Sequence, residues 1–562
     1  MRFILSLILV FSLSIINAQN NYPQDYFSSP LDIPLVLAGT FAELRSNHFH
    51  SGVDIKTQQR VGLKIKAVAN GFVSRIKLSH YGYGKALYIT HPNGYTSVYA
   101  HLQKFSPEIE AYVKKQQYEQ ESYEIELFPK AEELPLLKDS LVAYSGNTGS
   151  SGGPHLHFEI RDKEERPINP MLFGMDIKDT TYPTIKSLYA YPLDEHAFIN
   201  KSNTKQKLRL TPLKNGDYTT ENVEAIGNIG FALNTFDRQD LAPNSNGVYN
   251  IQTFINGNRN FEIDFGRFSF DETKHINQFI DYEHFTTKKQ RVQKLFKKNN
   301  PLSLFKSVLN DGVIKIEDST YSVYKIRVAD FKNNESWITV HIKGTKQSVS
   351  KPKEKHTTPF YIKANQSTNL KAGNVTVDFY KDTFYEDFYM DFEVKNDTLK
   401  LHKDIKPTKK NFNITYDVSR FTNEDKNKLY IARLIGYKNY PAYTSTKRKG
   451  DLLTASTKKL GTFALTMDTI KPKVSAVNFK DKQWLSKYRY LKIKIIDEGS
   501  GISKFRASIN GKWILMEYEY KKNTLTYDFN DSIITDTKNN LKVIVTDNVG
   551  NNSTFETFFY RK

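Results

Sequence analysis

The sequence predicts a mainly β protein with several domains: an antiparallel β-sheet domain that carries a helical insertion, followed by β-sandwich, Ig-like domains. Three observations support this fold class. The 562 residues are more than one hydrophobic core usually holds. Short runs of alternating apolar residues, separated by glycine-containing turns, fill residues 62–102, and alternation with period two is typical of strands. A spaced repeat in the C-terminal two thirds indicates two similar β units.

The N-terminal 18 residues have the pattern of a secretory signal. Arg2 precedes an apolar run that ends at Ile16, and Ala18 provides a small residue before the polar chain begins. We therefore expect an exported protein in the periplasm or cell envelope, or outside the cell. A retained anchor is the alternative, although the run is short for a bilayer span of about 20 residues. No later segment is long and apolar enough to be a transmembrane segment.

Residues 19–175 are predicted to form the first domain. Strand patterns occur at residues 63–69, 72–78, 86–89, 96–100, 141–144 and 155–161. Residues 104–139 interrupt them with 9 acidic and 5 basic residues and runs of good helix formers, so we expect a helical or lid-like insertion there. The chain has no Cys, which excludes disulfides, Cys-ligated zinc and thiol nucleophiles.

The rest of the chain contains a repeat that defines its predicted domains. The segment 179–185 resembles 468–474, both of the form D-T-x-x-P, and 328–334 resembles 545–551. We expect β-sandwich domains at 179–345, with a basic helical insert around 286–309, and at 468–562, with a linker at 346–358 and a β-rich domain at 359–467 between them. Asp/Asn/Gly clusters of this kind can bind calcium, but without a D-x-D-x-D-G loop ordinary turns are the favoured interpretation.

The positive charge lies in the C-terminal region. The chain has 80 Lys+Arg and 61 Asp+Glu, a net charge of +19, and residues 1–175 hold 17 of each sign. The whole excess therefore belongs to residues 176–562. For an exported protein this favours contact with anionic envelope polymers, with an ordinary solvated surface as the equally weighted alternative. A charge spread over β domains fits nucleic-acid binding poorly, so we expect no nucleic-acid partner.

Three histidine-bearing segments carry the candidate chemistry. His50 and Asp54 stand four residues apart with a glycine between them, His101 lies in a Y-A-H-L motif, and His155 and His157 share one face of a predicted strand. Each histidine alone is more often a surface or hydrogen-bonded core residue. Together they suit a catalytic zinc, which needs three N/O ligands, an open position for water, and imidazoles beside it to activate that water.

These segments resemble lysostaphin-type (LytM-like) zinc endopeptidases. The resemblance covers residues 41–173 and rests on the H-x-x-x-D, the G-Y-G-x-x-x-x-I-x-H stretch from 82 to 91, the Y-A-H-L and the G-x-T-G-x-S-x-G-P-H-L-H-F-E. It implies a zinc metalloendopeptidase that hydrolyses peptide cross-links or stem peptides of bacterial peptidoglycan. The 104–139 insertion departs from the short connection of simpler family members.

The resemblance also implies the role of each site residue. It implies that one zinc per chain is held by His50, Asp54 and His157, and that His101 and His155 are the catalytic histidines. Because all five are present, the degenerate family members that have lost metal ligands fit less well. A non-catalytic protein that binds peptidoglycan or activates an amidase remains the alternative, and a β-rich adhesin a further one.

Four other residues near these motifs receive weaker interpretations. His48, His80 and His91 lie outside the matched ligand positions. Glu159 shares the face of the His pair by alternation, so it either orients an imidazole or forms a surface salt bridge.

Overall fold

The computed structural model describes residues 22–347, 356–531 and 533–562. It confirms the mainly β fold class, with an antiparallel sheet in the N-terminal region and further β-sheets after it. The predicted signal, residues 1–18, lies outside the described residues, as does most of the predicted linker. Among the described residues, no helix has both the length and the apolar character needed to cross a membrane.

The N-terminal sheet positions the candidate site. In spatial order, its main strands are Leu37–Gly39, Val53–Lys56, His155–Arg161, Thr96–Ala100, Lys85–Thr90, Gly71–Leu78 and Ile125–Leu127. Two short strands at its margins are Pro135–Leu136 and Pro167–Ile168. A smaller sheet contains Lys64–Lys66, Leu141–Tyr144 and Lys104–Phe105. The side chains of the central strands are almost all buried, so the residues at the strand ends are held rigidly.

The insertion at 104–139 is helical only in part. Its helix, Pro107–Glu119, begins with proline in the first turn, where a missing N–H costs nothing, and has acidic residues near its N-terminus. After the helix, the strands Ile125–Leu127 and Pro135–Leu136 pair with Gly71–Leu78 and extend the sheet. The insertion, expected to be helical or lid-like, is therefore helical at Pro107–Glu119 and forms strands beyond it, because Ile125 and Leu127 bury their side chains as strand residues.

A 13-stranded sheet follows the N-terminal sheet. Its strands are Thr184–Pro192, Phe198–Ile199, Gln206–Leu208, Leu210–Pro212, Tyr218–Thr220, Val223–Phe236, Asn250–Ile255, Asn258–Asp264, Gln293–Lys294, Phe305–Val308, Ile314–Ile316, Tyr321–Ala329 and Glu335–Gly344. The short helices Ile276–Phe279 and Tyr282–Lys288 lie between its strands.

The predicted basic helix around 286–309 is not present. The helix ends at Lys288, because Lys289 adopts a left-handed conformation that caps it. Beyond it, Gln293–Lys294 and Phe305–Val308 join the sheet, and Val292 and Leu295 are fully buried. Burial of these apolar side chains against the sheet outweighs the helix-like composition.

The last two units each place two sheets around one core. In residues 360–467, one sheet consists of Thr368–Ala372, Val375–Phe379, Phe412–Asp417, Leu452–Thr457 and Thr446–Lys449. The facing sheet consists of Phe392–Lys395, Thr398–Leu401, Gly461–Met467, Leu429–Ile435 and Tyr440–Tyr443. This unit also contains the paired short strands Tyr361–Ile362 and Phe388–Tyr389 and the helix Asn423–Lys428. Residues 473–560 form the sheet of Lys473–Ala476, Tyr490–Ile496, Thr524–Asp528 and Glu517–Glu519, and the sheet of Lys512–Trp513, Ile502–Ile509, Lys538–Asp547 and Asn552–Tyr560.

Three large hydrophobic cores hold the described chain together. One is continuous from Leu31 to Ile342, so the N-terminal sheet and the 13-stranded sheet share it. The other two lie within residues 362–463 and 479–559. A chain cut near residue 175 would therefore expose part of a shared core to water.

Candidate metal centre and active site

Strand pairing brings the separate histidine segments together. In the register of the central strands, His157 lies opposite Asp54 on one side and opposite Ala100 on the other. His101 follows Ala100 and adopts a left-handed conformation, with φ of 59°. A Cβ on Gly52 would lie 2.2 Å from the carbonyl oxygen of Phe158, so only glycine lets the two strands approach this closely.

Three ligand atoms meet at one point. The Nε2 of His50 lies 3.0 Å from Oδ1 of Asp54 and 3.1 Å from Nδ1 of His157, and Nδ1 of His157 lies 2.9 Å from the same Asp54 oxygen. All three residues are buried. Burial alone would raise the pKa of Asp54, but the nearby His50 and the hydrogen bonds from His155 and His157 hold it well below its usual range.

The outer hydrogen bonds of both imidazoles fix their tautomers. The Nδ1 of His50 is 2.7 Å from the carbonyl oxygen of Thr40, which can only accept, so this nitrogen carries the proton and Nε2 presents a lone pair. The Nε2 of His157 donates in the same way to Glu159, at 2.8 Å, which leaves the lone pair of Nδ1 facing the site. Two lone pairs and a carboxylate oxygen therefore converge about 3 Å apart.

This donor set fits a metal ion. Converging lone pairs repel one another unless a cation lies between them, and two imidazoles with one carboxylate are typical catalytic zinc ligands. A proton on Nδ1 of His157 would fill the same position. Burial lowers the pKa of His157, but its hydrogen bonds with Asp54 and Glu159 raise it to about 9. A metal held by His50, Asp54 and His157 would thus displace a proton.

His101 and His155 border this point without belonging to the triangle. Their rings lie 4.8 Å apart, and the ring of His101 is 5.8 Å from that of His157. Each Nδ1 faces a backbone carbonyl, that of Thr148 at 2.9 Å from His101 and that of Gly153 at 2.8 Å from His155. In the neutral tautomer that donates from Nδ1, each Nε2 carries a lone pair, and Nε2 of His155 lies 3.4 Å from Oδ1 of Asp54, to which it donates when the ring is protonated. Burial, with His157 and His155 nearby, lowers the pKa of His101 to about 3, so it is neutral at physiological pH.

Glu159 lies behind the metal-facing histidine and is fully buried. Its Oε1 accepts from His157, from Ser51 at 2.6 Å and from the Tyr83 hydroxyl, and its Oε2 accepts from Nε of Arg161 at 2.6 Å. Glu159 therefore orients an imidazole, and the surface salt bridge weighed as its alternative is not found.

Sequence reasoning missed Ser51, Tyr83 and Arg161. Arg161 had a usable signal, because it shares the strand face of His157 and Glu159 by alternation. Tyr83 stands in the G-Y-G stretch, and Ser51 directly follows His50, yet nothing in the sequence connects either residue with Glu159.

The other histidines have separate surroundings. His48 is exposed, with its Nδ1 facing the side-chain oxygen of Asn47, and His91 is buried between the Asn70 carbonyl and the Ser97 hydroxyl. His80 stacks on Tyr123 of the insertion. A further cation, Arg45, lies 3.0 Å from the second oxygen of Asp54 and helps to keep that carboxyl ionised.

The C-terminal unit, residues 473–560, lies against this site. Lys521 donates to the carbonyls of Asn147, at 2.6 Å, and Ser151, at 3.1 Å, in the loop that precedes His155. The nearly buried Lys85 pairs with Glu517 at 3.0 Å. The helix of the insertion contributes to the same interface, since the Tyr118 hydroxyl donates to Asp531 at 2.7 Å and Lys114 pairs with the same carboxylate.

Comparisons with known proteins agree with this geometry for part of the chain. Residues 48–118 match the model of peptidase family M23, and residues 360–468 match that of the Zu5-like domain. Among curated proteins, the chain is 30% identical over 138 residues to the DD-carboxypeptidase/endopeptidase Mpg of Neisseria meningitidis serogroup B, which covers 25% of this chain and 26% of that protein. It is 28% identical over 141 residues to lysostaphin of Staphylococcus simulans, covering 25% and 22%.

Solved structures match the same region. A mutant catalytic domain of the prophage-encoded M23 protein EnpA from Enterococcus faecalis aligns over 27% of this chain and 98% of that one, with 21% identity and a TM-score of 0.20. The lysostaphin catalytic domain from Staphylococcus simulans aligns over 27% and 92%, with 23% identity and a TM-score of 0.17. The match spans about a quarter of the length of the curated relatives named above. The chain carries an M23 peptidase domain in this one segment.

Proposed function

We propose that this chain is an exported zinc metalloendopeptidase that hydrolyses peptide cross-links or stem peptides of bacterial peptidoglycan. The observation that carries the proposal is the convergence of three lone pairs from His50, Asp54 and His157 on one buried point, with two further imidazoles beside it. The similarity to a DD-carboxypeptidase/endopeptidase and to lysostaphin favours a peptide of the cell wall as the substrate.

One zinc per chain would be held by His50, Asp54 and His157. When bound, zinc acts as a Lewis acid that makes a water more acidic and polarises the scissile carbonyl. Glu159 keeps the Nε2 proton on His157, and the Thr40 carbonyl keeps the Nδ1 proton on His50, so both ligand lone pairs point inward. Arg45 and the buried hydrogen bonds keep Asp54 ionised.

His101 and His155 are the proposed catalytic residues. Because each donates its Nδ1 proton to a backbone carbonyl, its Nε2 can accept the proton that water loses as oxygen attacks the carbonyl carbon. The protonated imidazole then stabilises the oxyanion and returns the proton to the departing amine nitrogen as the C–N bond breaks. The neutral state of His101 suits it to the first step.

The proposed location is the periplasm or cell envelope, or outside the cell, where peptidoglycan is accessible. The signal-like residues 1–18 support export. The basic region at 176–562 supports an attraction to anionic envelope polymers, because all of the net charge of +19 lies there.

Three substitutions and one control test this function. We expect His157→Ala to lose stoichiometric zinc, whereas His101→Ala and His155→Ala keep zinc and lose about a hundredfold or more in turnover. His48 is an exposed histidine two residues from a proposed zinc ligand, so the control variant His48→Ala should keep both its zinc and its turnover. Zinc is measured by elemental analysis and turnover by mass spectrometry of released muropeptides. Stoichiometric zinc without any released fragment from the wild-type protein would instead favour the non-catalytic, peptidoglycan-binding alternative.

A further inference from the structure

Two clusters of three aspartates lie outside the candidate metal centre. One consists of Asp179, Asp237 and Asp330, and the other of Asp468, Asp497 and Asp547. In each cluster, one oxygen from every residue lies within 4.8 Å of the other two. We call them the first and the second aspartate cluster.

The two clusters occupy the same place in two β units. In each unit, the first aspartate opens the D-T-x-x-P segment that precedes the first strand of the unit. The second aspartate directly follows the strand that pairs with this first strand. The third lies where a strand enters a hairpin turn, between Tyr321–Ala329 and Glu335–Gly344 in one unit and at the end of Lys538–Asp547 in the other. The repeat thus brings together six carboxylates at two corresponding points.

An asparagine ties each cluster together in the same way. The side-chain amide of Asn334 donates to the Asp179 carbonyl at 3.2 Å and to the Asp330 carboxylate at 2.7 Å. Asn551 repeats both bonds with Asp468 and Asp547, at 3.0 and 2.6 Å. An amide holds these segments in place without neutralising their charge.

The first cluster contains a buried oxygen with no partner. Asp237 is only 4% exposed, and its Oδ1 accepts no hydrogen bond. A cavity of about 30 Å³ is lined by Asp179 and Asp237. Burial, together with the neighbouring Asp179 and Asp330, raises the pKa of Asp237 to about 8. The carboxylates crowd one another with no counter-charge, since no basic side chain in the described part of the chain forms an ion pair with any of these three.

The second cluster also has buried oxygens without a hydrogen-bond partner. The Oδ1 of Asp497 and the Oγ of Ser500 are buried without a hydrogen-bond partner, and Ser500 is 2% exposed. The backbone N–H of Ser500 donates to Asp468 at 2.7 Å, so this residue adjoins the cluster. Lys428 donates to the side-chain oxygen of Asn551, and no ion pair with any of the three carboxylates is found in the described part of the chain.

We propose that each aspartate cluster binds one calcium ion. All of the candidate side-chain ligands are oxygens, and crowded carboxylates with neutral oxygens nearby suit a hard cation that accepts irregular coordination. Neither cluster contains an imidazole, which zinc and copper would favour. Because the ligands come from three separate segments, the ion would join strands that are distant in sequence.

Binding at the first cluster would also stabilise the peptidase domain. Thr40 lines the same cavity, and its hydroxyl exchanges hydrogen bonds with the backbone of Gly247, at 2.9 and 3.1 Å. The carbonyl of Thr40 is the group that orients His50. The loop that begins at Asp237 therefore supports a residue whose backbone orients a zinc ligand.

Calcium binding is tested on the zinc-saturated full chain by equilibrium dialysis with elemental analysis. We expect two bound calcium ions per chain, with dissociation constants of about 10⁻⁴ to 10⁻³ M, as in extracellular modules. Asp237→Asn and Asp497→Asn should each bind one calcium ion, and the double variant none. Asp176→Asn, an exposed aspartate three residues before Asp179, should still bind two. Calcium should also raise the Tm of the wild-type chain.

Several outcomes would overturn the proposal. If the wild-type chain bound no calcium at 10 times the upper dissociation constant, the clusters would be held by shared protons instead. Two calcium ions on both single variants would show that the ions bind elsewhere. Binding of magnesium but not calcium would contradict the assignment of the ion. If Asp237→Asn failed to fold, the wild-type stoichiometry and Asp497→Asn would still decide the question.

Discussion

The substitution Glu159→Gln tests how the buried carboxylate controls the metal centre. Every neighbour of this side chain is a donor: His157, Ser51 and Tyr83 at one oxygen and Arg161 at the other. Glutamine has nearly the same shape, but one of its two ends is an NH₂ group. If the NH₂ group takes the place of Oε1 it faces the N–H of His157, and if it takes the place of Oε2 it faces the N–H of Arg161. In both cases the buried Arg161 loses its ionised partner.

Two magnitudes follow from this geometry. Losing one member of a buried ion pair costs about 3 to 5 kcal/mol, and we expect about 3 because Arg161 keeps a second partner, Glu165, at 3.0 Å. At about 2.1 cal/mol/K per residue over the shared core of residues 31–342, that loss corresponds to a fall in Tm of about 5 °C. A partner that orients a metal-binding histidine contributes about 10- to 100-fold to metal affinity, so zinc should bind more weakly by that factor.

The assays separate these two effects. Zinc affinity is measured by competition with a chelator, and Tm by calorimetry at saturating zinc. Glu165→Gln is the matched control, because it removes the exposed partner of the same arginine and contacts no histidine. The control should stay within about 1 kcal/mol of wild type and keep its zinc affinity. Zinc binding by Glu159→Gln within twofold of wild type would refute the proposed orientation of His157.

Two further predictions concern Glu517 and the basic region at 176–562. Burial lowers the pKa of Lys85, but Glu517 and Glu110 raise it above its usual 10.5, so the ion pair stabilises the fold below that pH and is lost above it. Glu517→Gln should therefore lower Tm at pH 7, by an amount equivalent to about 1 to 2 kcal/mol, and the difference from wild type should vanish at strongly alkaline pH. The full protein should sediment with sacculi at low salt and be released as salt rises, because residues 176–562 carry the charge excess; binding that persists in high salt would exclude an electrostatic anchor.

One periodicity in the sequence, the alternation of side chains along a strand, predicted which residues share a face of the site. Alternation on a strand places His155, His157 and Glu159 on the same face, and the structure has them there. Pairing of Val53–Lys56 with that strand could not be read from the spacing, although the family resemblance implied that Asp54 joins His157. The roles assigned to the five residues stay predictions until the variants are measured.

The features that the sequence did not predict arise from contacts between distant segments. For the segments that carry the aspartates, the sequence favoured ordinary turns because no local calcium-loop spacing exists. The three members of a cluster lie up to about 150 residues apart in the chain. The basic segment at 286–309 has a helix-like composition, but burial of Val292 and Leu295 against the 13-stranded sheet decides its conformation. In both cases tertiary packing outweighs the local signal.

The C-terminal unit contacts the loop beside the candidate metal centre and is not a separate appendage. Lys521 donates hydrogen bonds to the carbonyls of Asn147 and Ser151. The same loop contains Thr148 and Gly153, whose carbonyls face His101 and His155. Those two carbonyls fix the tautomers of the two imidazoles next to the metal centre. Since a shift of about 1 Å in such a group can cost a hundredfold in rate, contact with this loop couples the docking of the C-terminal unit to the geometry of both proposed catalytic histidines.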